Sequence, residues 1–126
     1  RVVRLDEATK NLLSEPDIWS SSYAYAYPAL CPNARGDLGV TLFRGGGDVF
    51  PGLVVGVRDE DLPAWVLKVA RDGSDGPGDG KWGDYLGILN YSNSGYSWFA
   101  SGFTLQGGST QFDVEPRVVQ FGYRRS

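Results

Sequence analysis

Apolar residues in this chain occur in short runs of strand length, and clusters of Gly, Asp, Asn, Ser and Pro separate the runs. Short apolar runs divided by turn-forming residues are typical of β-strands joined by tight turns. No segment shows the apolar spacing that an amphipathic helix of ten or more residues requires. The pattern therefore predicts an all-β protein with antiparallel strands.

The runs follow an internal repeat with a period of about 47 residues. Gly36 and Asp37 return as Gly83 and Asp84 at an offset of 47 positions. The corresponding segments are residues 35–40 with 82–88, residues 53–57 with 99–103, and residues 63–69 with 116–121. Each copy thus contains three apolar runs of strand length.

A repeat of this length with three or four strands has the size of one β-propeller blade. The alternative is a sandwich of about seven strands in which similar strands coincide by chance. We expect about two antiparallel blades, one over residues 35–81 and one over residues 82–126, with residues 1–34 completing a preceding blade. Because a closed propeller needs about four to eight blades, this fold would be incomplete as a single chain.

The first 34 residues differ from the two copies. Residues 6–13 are compatible with a short helix for which Asp6 is the N-cap. Tyr23, Tyr25 and Tyr27 then alternate with alanines. A period of two predicts an extended segment with all three rings on one face.

Composition narrows the chemistry. Histidine is absent, and Cys31 is the one cysteine. These counts exclude a catalytic triad with histidine, a metal site with histidine ligands and an internal disulfide. The net charge of -3 argues against a nucleic-acid partner, which needs a basic face. No apolar run approaches the ~20 residues of a membrane span.

Several short motifs occur in an order that resembles a known family. They are YP at residues 27–28, N-x-RGD-x-G at 33–39, GGG at 45–47, FP at 50–51, GP at 76–77, WGDY at 82–85, FTLQGG at 103–108 and EPR at 115–117. In this order they resemble the C-terminal region of bacterial extracellular sialidase-like β-propeller proteins, over about residues 17–123. The resemblance implies blade architecture and a secreted, extracellular location.

Sialidase-like catalysis uses an arginine cluster, a tyrosine paired with a glutamate, and an aspartic acid. The candidates in this chain are Arg35, Arg44, Arg58, Arg71, Arg117, Tyr85, Tyr91 and Glu115. The arginines are scattered, which favours surface placement, and for Arg117 an ion pair with Glu115 or another carboxylate across strands. We therefore assign no catalytic residue, and a fragment of a sialidase-like glycoside hydrolase is the alternative function.

Aromatic residues suggest the leading function, because exposed Trp and Tyr rings stack on sugars or anchor protein interfaces. The candidate ligand-binding residues are Tyr23, Tyr25, Tyr27, Trp82, Tyr85 and Arg117. Packing between sheets is the competing interpretation, and we expect it for Trp65, Trp82 and Trp98. The predicted function is an extracellular structural or binding module that recognises glycans or proteins and assembles with other copies or chains.

One acidic loop offers a possible metal site. Asp72, Asp75 and Asp79 lie within residues 72–80, and calcium prefers such oxygen-rich loops. The order of ligands does not match an EF-hand, and a solvated loop explains the same composition. Calcium is therefore the one cofactor that the sequence suggests, with these three aspartates as its ligands.

Overall fold

The computed structural model describes residues 1–59, 61, 64–91 and 95–123. Within them the chain forms nine strands and one short 3-10 helix, so the all-β prediction is confirmed. The strands are β1 (Arg4–Leu5), β2 (Leu12–Ser14), β3 (Ala24–Pro32), β4 (Leu38–Gly46), β5 (Val49–Arg58), β6 (Val66–Arg71), β7 (Gly87–Asn90), β8 (Ser97–Leu105) and β9 (Val114–Gly122), and the 3-10 helix is Gln111–Asp113. In the part of the chain described, no helix has the length and apolar character needed to cross a membrane.

The strands form three antiparallel sheets in which hydrogen-bonded neighbours are always consecutive in sequence. Strands β1 and β2 form a hairpin, β3-β4-β5-β6 form the first sheet, and β7-β8-β9 form the second sheet. The strands of the described residues do not close into a barrel or a propeller ring. The architecture shown is therefore a pair of antiparallel meanders.

Each copy of the sequence repeat contributes three consecutive strands to one sheet. The runs of the first copy lie in β4, β5 and β6, and those of the second copy lie in β7, β8 and β9. Residues 1–34, which we expected to complete a preceding blade, instead supply β3, which pairs with β4. The first sheet is thereby one strand wider than the second.

The two sheets face each other, with β7 over β3 and β4 and with β8 over β4 and β5. Glycines allow this close approach. A Cβ placed on Gly39 would lie 2.7 Å from the indole ring of Trp98, and one on Gly102 would lie 2.5 Å from a methyl group of Leu53. Neither glycine has a positive φ, so the close contact between the sheets, and not turn geometry, explains why glycine occupies positions 39 and 102.

The opposite face of the first sheet is also covered. Val40, Leu42 and Val54 form a buried cluster, against which the partly buried Ile18 and Trp65 pack. Because both faces of β4 and β5 are covered, their buried positions run consecutively along each strand instead of alternating.

Trp98 connects the sheets and is wholly buried. Its Nε1 donates a hydrogen bond of 2.8 Å to the carbonyl oxygen of Cys31, and its ring stacks on Phe121 with centroids 5.5 Å apart. Packing, the expected role of Trp98, is confirmed.

The prediction of a short helix over residues 6–13 is wrong, because the segment turns between β1 and β2. The Asp6 carboxylate accepts hydrogen bonds of 2.6 and 2.7 Å from the backbone N–H and hydroxyl of Thr9. Lys10 adopts a φ of 61°, outside helical space. A side chain that bonds its own turn stabilises that turn, while so short a helix gains little in water.

Replacing Gly39 with Ala tests the contact between the sheets. We expect G39A to lower the free energy of unfolding by roughly 1 to 3 kcal/mol, because the new methyl group overlaps the Trp98 ring. The matched control is G45A in the same strand, where the nearest atom to a new Cβ would be 3.5 Å away. Urea unfolding of the two variants measures the difference, and equal stabilities would contradict the close contact.

Candidate functional site

A groove lies beside strand β9 and the segment before β7, where Trp82 and Phe103 also pack on Phe43 of the first sheet. It consists of two cavities of about 620 and 640 Å³, both lined by Phe103 and Val114. We call the first cavity the polar compartment because it holds most of the charged side chains of the groove. It is lined by Asp79, Lys81, Trp82, Asp84, Thr110 and Gln111, together with apolar residues such as Leu105. The apolar compartment is lined mainly by Tyr85, Phe103, Val114, Pro116 and Val118. Both volumes lie in the range of small-molecule sites.

Strand β9 forms one wall of the groove because its residues alternate between two faces. Pro116 pairs with Phe103, and Val118 pairs with Ser101, so these four side chains point to the same side. Val118 is 74% exposed there. The intervening residues Glu115 and Arg117 form an ion pair, so the expected pairing is confirmed.

The segment that leads into β7 carries the aromatic residues of the groove on an unusual backbone. Gly83, Asp84 and Tyr85 have φ values of 137°, 61° and 57° in succession. Left-handed geometry costs a residue with a Cβ roughly 1 to 2 kcal/mol. Residues 82–85, which we call the arch, therefore hold strain at the groove, and such strain is concentrated at functional sites.

Trp82 and Tyr85 occupy opposite ends of the arch. Trp82 packs on Phe103 and Phe43, with ring centroids 4.8 and 5.1 Å away. Its buried Nε1 has no hydrogen-bond partner among the described residues. Tyr85 is 89% exposed at the rim. One ring is thus fixed in the wall, while the other presents its faces to solvent.

Tyr27 supports the arch from below. A β-bulge between Ala26 and Ala29 interrupts the register of β3, and Tyr27 has a φ of 54°. Its ring lies against Gly83, where a Cβ would overlap it. Tyr25 instead packs on the buried cluster of the first sheet. The prediction that all three tyrosines share one face is therefore wrong for Tyr27, because the bulge adds a residue and breaks the period of two.

Tyr23 and Tyr25 lie outside the groove lining, in a cluster around Arg44. Their rings meet edge to face with centroids 5.5 Å apart, and the Arg44 guanidinium bonds Asp72 at 2.6 Å. Hydrogen bonds from Tyr25 and Arg44 lower the pKa of Tyr23 because they stabilise its phenolate, whereas burial raises the pKa of Tyr25. Of the six candidate ligand-binding residues, Trp82, Tyr85 and Arg117 line the groove, and Tyr27 supports it.

The three candidate calcium ligands have separate partners. Asp72 bonds Arg44, Asp75 accepts a hydrogen bond from Ser74, and Asp79 accepts one from the Lys81 backbone. Across residues 1–59, 61, 64–91 and 95–123, no group of three acidic or cysteine side chains is placed to hold a metal ion. Calcium binding by this loop stays a prediction.

A capping box fixes the far rim of the polar compartment. The Asp113 carboxylate accepts hydrogen bonds of 2.9 and 2.7 Å from the backbone N–H and hydroxyl of Thr110. These bonds lower the pKa of Asp113 because they stabilise its charged form. The sequence pattern did not single out Thr110 and Gln111 as site residues, although Thr and Asp at a spacing of three are a recognisable capping signal.

Comparison with known proteins assigns no function to the groove. No protein-family model, no curated protein and no solved structure matches the chain. The chemistry of the site is therefore inferred from its own residues, which combine aromatic rings with carboxylate, ammonium, amide and hydroxyl groups in one concave surface.

Replacing Tyr85 with Gly tests the strain in the arch. We expect Y85G to raise the free energy of unfolding by up to about 1 kcal/mol, because glycine adopts positive φ without the Cβ penalty. Y85A, which keeps a Cβ at the same φ, is the control and brings no such gain. Thermal and urea unfolding measure the change, and a Y85G protein no more stable than Y85A would contradict the strain.

Proposed function

We propose that the chain is an extracellular binding module of propeller-blade type that recognises glycans through the groove on its second sheet. The observation that carries this proposal is the pairing of Trp82 and Tyr85 along a groove with a polar rim. Sugars combine apolar C–H faces with hydroxyl groups, so they suit a site that offers aromatic faces beside hydrogen-bonding groups.

The polar compartment offers the groups that sugar hydroxyls require. Asp79 and Asp84 accept hydrogen bonds, Lys81 donates them, and Gln111 does both. A mixed set of donors and acceptors suits a neutral hydroxylated ligand better than a highly charged one.

The way in which the sheets stack supports the blade interpretation. In the repeat, Leu53, Val55 and Val57 of β5 correspond to Phe99, Ser101 and Phe103 of β8. The first set faces the second sheet, while the second set lies on the groove side. Equivalent faces thus point the same way, as in successive blades.

The secreted, extracellular location and the family assignment are part of the same proposal. Both rest on the resemblance of the sequence motifs to sialidase-like propeller proteins. The meander order of the strands fits that resemblance, because Greek-key sandwiches connect their strands differently.

The hydrolase alternative finds less support in the groove. Among the residues that the structure describes, the two compartments are lined by a single arginine, Arg117, which is paired with Glu115. A sialidase-like centre would need several converging arginines and a tyrosine–glutamate pair. The binding function is therefore the one we favour.

Replacing Tyr85 with Ala tests glycan recognition. We expect Y85A to weaken binding to the glycans that the wild-type protein retains on an array by at least about tenfold, because the exposed stacking ring is lost. W19A is the matched control, since Trp19 is 74% exposed and lies outside the groove lining. Array screening followed by calorimetry gives the affinities; equal losses in both variants would remove the groove from the proposal.

Assembly with other copies is also part of the proposal. Strands β6 and β9 pair on one side only among the described residues, and edge strands invite pairing. We expect light scattering after size exclusion to give a mass above the 13.7 kDa of one chain. A well-folded monomer at every protein concentration would contradict assembly.

A further inference from the structure

We propose that the ligand of the groove is an amphiphilic glycoside, whose sugar occupies the polar compartment and whose apolar aglycone occupies the apolar compartment. This inference rests on the proposed glycan-binding function and names the class of glycan that the groove takes. It follows from the different chemistry of the two compartments and from the residues that line both of them.

The compartments differ in charge. Asp79, Lys81 and Asp84 line the polar compartment, whereas Arg117 is the one charged residue that lines the apolar compartment within the described part of the chain. The Arg117 guanidinium is already paired with Glu115. A sugar in the apolar compartment would lose hydrogen bonds to water and gain few in return, so sugar is disfavoured there.

The apolar compartment exposes hydrophobic surface that a ligand would remove from water. Val118 is 74% exposed, and Val114 and Pro116 are exposed beside it on β9. Single exposed hydrophobic residues are ordinary, but three on one strand that border a cavity of about 640 Å³ form a receptor for an apolar group.

The two compartments adjoin each other. Phe103 and Val114 line both of them, and the arch carries Trp82 on the polar side and Tyr85 on the apolar side. A ligand that stacks on Trp82 therefore projects its next group past Phe103 toward Val118. The glycosidic linkage would lie at this junction, with the aglycone beyond it.

Matched glycosides test the inference. The probes are methyl and octyl glycosides of four sugars (glucose, galactose, mannose and N-acetylglucosamine), used below micelle formation, with a sugar-free octyl tetraethylene glycol ether as the control. Each methylene that enters the apolar compartment increases affinity about fourfold. We expect the octyl form of any sugar that binds to be at least about tenfold tighter than its methyl form, and the sugar-free ether to bind weakly.

Two variants test whether the apolar compartment is the source of the higher affinity for octyl glycosides. We expect V118D to abolish the octyl-over-methyl advantage, so that the two forms of a glycoside bind with similar affinity. L89D is the matched control, because Leu89 is 58% exposed on edge strand β7 and, through its pairing with Phe99, shares the sheet face of the groove without lining it. Circular dichroism and thermal unfolding establish that both variants are folded.

The outcomes separate this inference from the proposed function. If methyl glycosides bind and octyl chains add nothing, the aglycone site is wrong and glycan recognition stands. If neither form binds, both are wrong. Equal binding of the sugar-free ether shows detergent adsorption and overturns the inference. So does a wild-type dimer that V118D dissociates without any change in octyl glycoside affinity, because a second copy then covers the compartment.

Discussion

The architecture depends on how closely the two sheets approach each other. Gly39 and Gly102 remove side chains where Trp98 and Leu53 need space, and the Trp98 indole then reaches the carbonyl of Cys31 across 67 positions of sequence. This contact fixes the second sheet over the first. Because it joins distant parts of the chain, neither sheet gains its full burial without the other.

The groove is a consequence of that stacking. Once the inner face of the second sheet is covered, Pro116 and Val118 on its other face border the groove together with the arch. Packing between the sheets orients the second sheet. The three positive φ angles of Gly83, Asp84 and Tyr85 then place the rings of Trp82 and Tyr85 beside it. The site is built on rigid strands, with its variable chemistry carried by turns.

The sequence indicated the strand content because apolar runs and turn residues are local signals. It also identified Trp82, Tyr85 and Arg117, which lie at the groove. It did not indicate the path of Tyr27, since a bulge depends on pairing with a distant strand. Nor did it single out Val114 and Val118, because a period of two shows which residues share a face but not which face is covered.

The support that Tyr27 gives to Gly83 makes the binding site a property of the whole chain. The arch and β9 lie in the second copy of the repeat, yet the ring beneath the arch comes from β3 near the start of the sequence. The site therefore cannot be transferred with the second copy alone, because a graft of that copy onto another scaffold would contain Trp82 and Tyr85 but lack the supporting ring of Tyr27. A further copy of the repeat would add another sheet, but it would not by itself add another groove.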